Sequence, residues 1–373
     1  MKLRKLIWSA LFASAFCITF SSCDDGEEEK FNDGGSKIEL PERRAYILYE
    51  GSQNMNQAGI AFYAPNKDAD FRGDLFKLQN DKGLGSLAQD IIDYNDYIYV
   101  VVSGSKYIAM LNEACVEVKT FKFPEGEGDP RRIEAEDGFL YVTQYGGQVS
   151  KINANTLERV AVFKGGDNLE GIAECDGKLY VANTYKIEGG NYIYNEEVLV
   201  INPKTMEKEA SITVVTNPER LYEVDGKLYL HSKGNYYDKP NTLQVIDPKN
   251  NNKVTDLQTP ISKVTEGKDG VLYLINNETV YDENWAVVSS VNTFSTYNTR
   301  TGAFGESFVK NAPEELNSAN IYLLNVDDDT DEIYIGTSDY VNTGTIYRFG
   351  ADGTFKEKFD AGGVNPNNMI FVD

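Results

Sequence analysis

A short hydrophobic pattern, a tyrosine with an aliphatic residue on each side, repeats along most of the chain. The central tyrosines are Tyr99, Tyr141, Tyr180, Tyr229, Tyr273 and Tyr334, at spacings of 39 to 61 residues. Short runs of aliphatic and aromatic residues bounded by turn residues are typical of β-strands. We therefore predict a strand around each triplet, with these tyrosines as packing residues.

The surroundings of the triplets repeat as well, most clearly in residues 167–216. There a hydrophobic stretch leads into an Asp176-Gly177 turn, the triplet follows, and two alternating stretches come after a variable loop. Asp-Gly between hydrophobic runs is a strong hairpin signal, and it recurs at 137–138, 225–226 and 269–270. Four short antiparallel strands in roughly 45 residues are the unit of a β-propeller blade.

The two ends of the repeat region predict how the ring closes. Residues 44–48 form a triplet strand with no first strand before it, and residues 369–372 form a first strand with nothing after it. Pairing them completes one more blade and removes exposed strand edges. We predict an all-β, seven-bladed β-propeller over residues 44–373, with one blade closed by the N- and C-terminal strands.

The predicted blades are 44–82 with 364–373, 83–125, 126–166, 167–216, 217–260, 261–312 and 313–363. A count of six or eight blades is the main alternative, because the repeats are imperfect. Tandem independent sandwiches are a weaker alternative, since they leave the split repeat unexplained.

Charge and composition exclude several classes of partner. The chain of 373 residues has 36 Lys and Arg against 58 Asp and Glu, a net charge of −22. Binding to nucleic acid or anionic lipid headgroups needs clustered cations, which this balance argues against. The one histidine, His231, excludes multi-histidine metal sites. The acidic run at 327–332 lacks EF-hand spacing and is predicted to be a solvated turn.

The first residues predict export and a lipid anchor. Three cations precede an apolar run at 6–20, which is shorter than the roughly 20 residues of a membrane-spanning helix. We interpret residues 1–22 as a signal peptide that resembles a bacterial lipoprotein signal, with Cys23 as the lipidated residue. Residues 23–43 begin with an acidic tract and are predicted to be a flexible tether. An ordinary secretory signal is the alternative.

The remaining two cysteines of the predicted mature chain are Cys115 and Cys175. A pair of cysteines in an exported protein can form a disulfide. These two fall in non-adjacent repeats, so we predict buried free thiols instead.

The loops indicate where a ligand would bind. In a propeller, the loops before the first strand and after the second strand emerge on one rim. The loops after the second strands are long and rich in Tyr and Asn, whereas the other rim has short turns. Turn preference favours Gly, Asn, Asp and Pro rather than Tyr. The tyrosines therefore indicate a binding surface.

Each first strand begins with a different polar residue. Counting ten residues back from the triplet tyrosines reaches Gln89, Arg131, Glu170, Glu219 and Lys263. A shared framework with varied rim residues is typical of a ligand site on a repeat scaffold. The candidate ligand-binding residues are Gln89, Tyr107, Arg131, Arg132, Tyr145, Glu170, Tyr185, Glu219, Arg220, Tyr236, Tyr237, Trp285, Tyr340 and Asn367.

Motifs of known enzymes are missing from the sequence. It contains no nucleophile elbow, P-loop, dinucleotide-binding fingerprint or Cys-x-x-Cys pair. Acid–base chemistry at Glu170 and Glu219, with Arg131 and His231 nearby, stays open. Charged pairs at a rim are more often ligand anchors, so we predict a binding protein rather than an enzyme. We assign no catalytic residue, metal or cofactor.

The chain resembles the YncE-like seven-bladed propeller lipoproteins of Bacteroidetes. The resemblance rests on residues 46–51 and 84–90, the Pro130-Arg131-Arg132 motif, and the repeated Asp-Gly-x-Leu-Tyr-Val pattern. It covers nearly the whole predicted mature chain. The chain has Tyr49 where the usual opening motif has Asn, and an insertion around 281–291.

The resemblance implies a function. In the BtuG branch of these proteins, a surface lipoprotein captures cobalamin and passes it to a TonB-dependent outer-membrane transporter. We therefore expect an outer-membrane protein, lipid-anchored on the extracellular face, with a corrinoid as its ligand. The same aromatic rim suits sugar rings, so a glycan-binding lipoprotein is the nearest alternative. A propeller lyase or hydrolase and a protein-interaction platform are the others.

Overall fold

Twenty-eight strands form seven four-stranded antiparallel sheets in the described part of the chain. The computed structural model describes residues 31–53, 55–65, 70–284 and 286–372. Blade 1 contains β1 (Arg44–Tyr49), β2 (Gly59–Ala64), β3 (Asp70–Arg72) and, as its innermost strand, β28 (Pro366–Val372). Blade 2 contains β4 (Ala88–Tyr94), β5 (Tyr97–Val102), β6 (Tyr107–Leu111) and β7 (Glu117–Lys122). Blade 3 contains β8 (Pro130–Glu136), β9 (Phe139–Gln144), β10 (Gln148–Asn153) and β11 (Arg159–Lys164).

The other four blades follow in chain order. Blade 4 contains β12 (Asn168–Cys175), β13 (Lys178–Glu188), β14 (Asn191–Asn202) and β15 (Glu207–Thr213). Blade 5 contains β16 (Pro218–Val224), β17 (Lys227–Ser232), β18 (Thr242–Asp247) and β19 (Lys253–Asp256). Blade 6 contains β20 (Lys263–Glu266), β21 (Val271–Tyr281), β22 (Val287–Asn298) and β23 (Ala303–Gly305). Blade 7 contains β24 (Ile321–Val326), β25 (Ile333–Thr337), β26 (Thr345–Phe349) and β27 (Phe355–Asp360).

The predicted ring and its closure are confirmed. The innermost strands of successive blades contact one another around a channel. The last strand, β28, pairs with β1 in antiparallel register, with Arg44 opposite Val372 and Ile47 opposite Met369. The N- and C-terminal strands thus share blade 1.

The triplet tyrosines pack between blades, as predicted. Tyr99, Tyr141, Tyr180, Tyr229 and Tyr334 are at most 2 % exposed, and Tyr273 is half-buried. Their strands start at short turns, which for most blades are the predicted Asp-Gly turns. Those turns and the turns between third and fourth strands form one edge of the ring, the short-turn face. The opposite edge, the long-loop face, carries the loops between second and third strands and the starts of the innermost strands.

One helix lies outside the predicted repeat. Helix α1 (Leu75–Asn80) follows β3, and the Asp74 side chain caps it by accepting a hydrogen bond from the Lys77 amide at 3.0 Å. Leu75 and Phe76 are fully buried in the core between blades 1 and 2. None of the helices in the described ranges is long and apolar enough to cross a membrane.

Residues 31–43 pack against the ring, although the sequence analysis assigned them to a flexible tether. Phe31, Ile38 and Leu40 cover the core of blades 1 and 2. The backbone amide of Asn32 donates to Glu113 Oε2 at 2.5 Å, and Arg44 forms two hydrogen bonds of 2.6 Å with Asp33. Apolar side chains and a buried arginine therefore hold this segment on the short-turn face. Residues 1–30, with Cys23 and the predicted signal peptide, lie outside the described residues.

The acidic turn before β25 is only partly solvated, because Asp328 and Asp329 are exposed but Asp327 and Glu332 are buried. Asp327 is fully buried, and the Arg43 guanidinium donates a hydrogen bond to it. Its other carboxylate oxygen accepts from the Asp329 amide at 3.1 Å. A buried carboxylate needs such partners, and Arg43, distant in sequence, supplies the charge.

Cys115 and Cys175 are free and buried, which confirms the predicted thiols. Burial raises the pKa of both, that of Cys175 to about 12. Because a thiol reacts as its thiolate, neither residue is expected to react with an aqueous maleimide in the native protein at pH 7. Both should react after unfolding in urea. Mass spectrometry of labelled peptides checks this, and native labelling of either peptide would contradict it.

Candidate functional site

A cavity opens on the long-loop face where blades 3, 4 and 5 meet. Its volume is about 260 Å³. It is lined by Arg131, Tyr145, Glu170, Thr184, Tyr185, Tyr192, Tyr194, Asn217, Glu219, Lys233 and Tyr236. Charged residues from the innermost strands and tyrosines from the loops thus converge on one space.

Glu170 is the centre of the first charged group. The Arg131 guanidinium contacts Glu170 Oε1 through Nη2 at 2.8 Å and Nε at 2.9 Å. The Tyr145 hydroxyl donates to the same oxygen at 2.5 Å. Burial by itself would raise the pKa of Glu170, but the Arg131 and Arg132 guanidiniums bring it below its usual value. Glu170 is therefore ionised at neutral pH.

Glu219 is the centre of the second charged group. Lys233 Nζ lies 2.5 Å from Glu219 Oε1, and His231 Nδ1 lies 3.5 Å from Oε2. Burial opposes ionisation, but Lys233 and His231 outweigh it and hold the pKa of Glu219 well below its usual range. Burial lowers the pKa of His231 to about 4 despite the nearby carboxylate. His231 is therefore neutral at pH 7.

Tyrosines form the wall and the outer edge of the cavity. The Arg131 guanidinium lies 4.6 Å from the centre of the Tyr145 ring. Tyr145 packs edge-on against Tyr185, with ring centres 5.8 Å apart, and Tyr185 contacts Tyr192 at 5.2 Å. On the other side Tyr194 packs against Tyr236 at 5.9 Å. The rings hold one another in place and expose apolar area to the opening.

The loop that carries Tyr236 is strained. Tyr236 has a φ of +63°, in the left-handed region that bulky residues rarely adopt. Asn235 holds this loop, because its side-chain oxygen accepts hydrogen bonds from the Tyr237 amide at 3.0 Å and the Lys239 amide at 2.9 Å. Such strain concentrates at ligand-binding positions. Tyr236 lies at the edge of the cavity and is 68 % exposed.

The structure brings six of the predicted site residues to this cavity: Arg131, Tyr145, Glu170, Tyr185, Glu219 and Tyr236. Four others line the channel beside or beneath it. Gln89 and Asn367 donate hydrogen bonds to Glu50 Oε1 at 2.9 and 3.1 Å. Arg132 is buried, 3.6 Å from Glu170 Oε2, and Arg220 follows Glu219 on β16.

Four predicted residues do not join the cavity. The Tyr107 hydroxyl donates to the Leu84 carbonyl in a different depression, between blades 1 and 2. Tyr340 packs on Tyr322 in blade 7, with ring centres 5.9 Å apart. Tyr237 is 93 % exposed and points away into solvent. Trp285 lies outside the described residues. Loop position alone did not reveal which way each ring turns.

The cavity residues outside the predicted set are Thr184, Tyr192, Tyr194, Asn217 and Lys233. Tyr192 and Tyr194 belong to the tyrosine-rich loops, whereas Thr184, Asn217 and Lys233 were missed. A signal for two of them exists, because Thr184 and Lys233 stand four residues after their triplet tyrosines, as Tyr145 does. Glu50 occupies the same position in blade 1 and also faces the channel, where the Tyr322 hydroxyl donates to it at 2.8 Å. In blades 1, 3, 4 and 5, the end of the second strand therefore supplies a channel or cavity residue.

The site offers binding groups rather than metal ligands. Within the described ranges, no group of three or more His, Cys, Asp or Glu side chains is arranged to hold a metal ion. Both cavity carboxylates are occupied by cations, and aromatic faces surround them. The arrangement can bind a ligand that combines flat apolar surface with hydrogen-bonding edges.

The chain matches no protein-family model and no curated protein. It is similar to solved propeller structures. One is a Bacteroides uniformis ATCC 8492 protein assigned provisionally as a 6-phosphogluconolactonase, with a TM-score of 0.59, 12 % identity, and 89 % of this chain and 100 % of that chain covered. Another is a functionally unknown protein from Desulfotomaculum acetoxidans DSM 771, with a TM-score of 0.56, 12 % identity, and coverage of 89 % and 99 %.

A third similar structure is a streptogramin B lyase, with a TM-score of 0.53, 14 % identity, and coverage of 73 % of this chain and 82 % of that chain. Proteins named as enzymes and a protein of unknown function thus share this fold. At these identities, the similarity shows that this chain is a β-propeller and does not extend to activity.

Proposed function

We propose that this protein is a binding protein that captures a small ligand in the cavity of blades 3–5. The observation that carries the proposal is the ring of tyrosines around two charged groups, Arg131 with Glu170 and Lys233 with Glu219. Tyrosines supply rigid apolar area, and the charged groups orient polar edges. A preformed site loses little entropy on binding, which favours tight capture.

We prefer binding over catalysis because both cavity carboxylates are ionised at neutral pH. A general base or acid works best with a pKa near the operating pH. The pKa of Glu170 and of Glu219 is lowered instead, because each carboxylate faces a cation. His231 is buried and neutral, and it contacts Glu219 rather than the cavity opening. These groups are suited to anchoring a ligand.

A corrinoid is the proposed ligand, on the strength of the resemblance to cobalamin-capturing lipoproteins. A corrin is a broad disc edged with amides, which matches tyrosine faces and carboxylate acceptors. The cavity of about 260 Å³ is slightly smaller than typical ligand pockets. The disc would therefore insert one edge and rest on exposed Tyr192 and Tyr236. Delivery to a TonB-dependent transporter completes this proposal.

The proposed lipid anchor at Cys23 is compatible with capture of a ligand from outside the cell. Phe31 lies on the short-turn face, opposite the cavity. A lipid on Cys23 would be eight residues away along the sequence, a reach of at most about 28 Å. With the proposed anchor at Cys23, the cavity would face away from the membrane surface.

Glycan binding is the second candidate, and the cavity volume favours it. A cavity of this size accommodates a single sugar ring, and aromatic side chains stack on sugars. The two candidates differ in the ligand and share the residues of the site.

Titration of the purified protein with cyanocobalamin and cobinamide tests the proposal. We expect saturable binding by calorimetry at micromolar protein. Replacing Tyr185 with Ala should weaken binding at least about tenfold, because buried aromatic anchors contribute about 2 kcal/mol or more to binding.

The matched control is Tyr237→Ala, since Tyr237 is exposed on the same loop face and does not line the cavity. That variant should bind like the unmodified protein. If no corrinoid binds, the corrinoid proposal is wrong. A polysaccharide panel with the same two variants then decides whether the cavity takes glycans.

A further inference from the structure

Beneath the cavity, the channel has a second layer of side chains that we call the inner ring. Its members are the innermost-strand residues that lie opposite the second residue after each triplet tyrosine. For example, Asp90 lies opposite Val101, Arg220 opposite His231, and Lys263 opposite Ile275. The charged members of the inner ring are Asp90, Arg132, Arg220 and Lys263.

Lys263 belongs to this layer only because of the strand register. Counting ten residues back from Tyr273 grouped Lys263 with Glu219, which belongs to the layer of the cavity above the inner ring. The loop before the triplet is longer in blade 6, where Glu266 pairs with Leu272, than in blade 5, where Val224 pairs with Lys227. The register therefore shifts by one residue and places Lys263 level with Arg220.

The cations of the inner ring are poorly matched by protein anions. In the part of the chain that the structure describes, neither the Arg220 nor the Lys263 side chain has a hydrogen bond or ion pair with a protein group. Lys263 Nζ lies 5.1 Å from the centre of the Tyr322 ring. Arg132 donates to the Gln89 carbonyl, while its Nε lies 3.6 Å from Glu170 Oε2 and has no hydrogen-bond partner among the described residues.

The nearby carboxylates are already engaged. Arg131 and Lys233 contact Glu170 and Glu219 directly, as described above. Asp90 accepts hydrogen bonds from Asn368 Nδ2 at 2.9 Å and from the Ile133 amide at 3.2 Å. Three cations of the inner ring thus face a single carboxylate of the same layer.

Electrostatic repulsion acts within this layer. Burial, together with the positive charges of Lys233, Arg220 and Arg132, lowers the pKa of Lys263 to about 8, although Glu219 opposes the shift. The whole chain has a net charge of −22, so a local group of three buried or partly buried cations runs against its composition. Cations held together with few direct hydrogen-bond partners form a ready site for an anion.

We propose that the inner ring binds an oxyanion, a phosphate or carboxylate group, between Arg132, Arg220 and Lys263. The guanidiniums provide planar pairs of donors, and the lysine adds a point charge. The site lies below the tyrosine-lined cavity and does not depend on which ligand that cavity holds. Free inorganic phosphate is therefore sufficient to test it.

The test is calorimetry and thermal unfolding of the full chain with sodium phosphate, against sodium chloride at matched ionic strength. We expect saturable phosphate binding and a phosphate-specific rise in Tm. Lys263→Met and Arg220→Gln should each weaken binding at least tenfold. Lys263→Met should not lower the Tm without phosphate, because it removes a charge that Lys233, Arg220 and Arg132 repel. The matched control is Lys249→Met, since Lys249 is exposed in the turn at Pro248–Asn250 on the short-turn face.

A second readout separates the proposed role from a structural one. Acetate does not titrate between pH 7 and 9, so any change in its affinity reports the protein. Lys263 faces Glu219, Arg220, Lys233, Arg132, His231 and Tyr322. Its deprotonation above pH 8 should weaken acetate binding up to about tenfold by pH 9, and Lys263→Met should abolish this dependence. Phosphate and acetate effects equal to those of chloride, or unchanged binding in both variants, would overturn the proposal.

Discussion

Deletion of residues 366–373 is expected to abolish cooperative folding of the propeller. These residues include β28, which forms the innermost strand of blade 1 and pairs with β1 along its length. Met369 and Val372 are at most 7 % exposed. Without β28, the ring would have an open edge, and the hydrophobic faces of blades 2 and 7 would be exposed. Circular dichroism during heating should show no sharp transition.

A peptide of residues 364–373 provides the control for this deletion. Added in excess, it should pair with the free edge of β1 and restore part of the cooperative transition. A scrambled peptide of the same composition should not. If the truncated protein unfolds as sharply and at the same temperature as the full chain, closure by β28 is not what stabilises the ring.

Replacing Glu170 with Leu is expected to reduce the free energy of unfolding by about 3–5 kcal/mol, the usual cost of removing one partner of a buried ion pair. Glu170 is 5 % exposed and accepts hydrogen bonds from Arg131 and Tyr145. The change leaves the Arg131 guanidinium buried without a counter-charge. It also adds Arg131 to the cations beneath the cavity. Equilibrium denaturation in urea measures the loss.

The matched control is Glu196→Leu. Glu196 pairs with Lys239, but both side chains are about half exposed, so the loss should stay below about 1 kcal/mol. Glu170→Gln should fall between the two, because the amide still accepts a hydrogen bond. Equal effects of Glu170→Leu and Glu196→Leu would show that the Arg131–Glu170 pair does not stabilise the fold.

The fold could be predicted because its signals are local. Each triplet tyrosine sits in a second strand, as predicted. Turn residues and alternation act within a few neighbouring positions. Helix α1 was missed because it occurs once, in the segment that connects the short strand Asp70–Arg72 to blade 2, so the repeat pattern does not signal it.

The candidate site could be predicted only in part. The starts of the innermost strands gave Arg131, Glu170 and Glu219, because strand ends lie at fixed places on the ring. The loop tyrosines were harder, since Tyr145 and Tyr107 both follow a second strand on the long-loop face, but only Tyr145 reaches the cavity. The aromatic ring of a loop tyrosine packs against the side chains of the neighbouring blade. Spacing along the sequence does not describe those side chains.

The sequence by itself determined that this chain is a closed ring of seven blades, because hydrophobic alternation and Asp-Gly turns are read over a few residues at a time. Only the tertiary structure decided the chemistry inside the ring. Arg43 meets Asp327, Arg131 meets Glu170, and Lys263 stands level with Arg220. Such contacts depend on register between strands and on neighbouring blades, and a one-residue change in a loop shifts them.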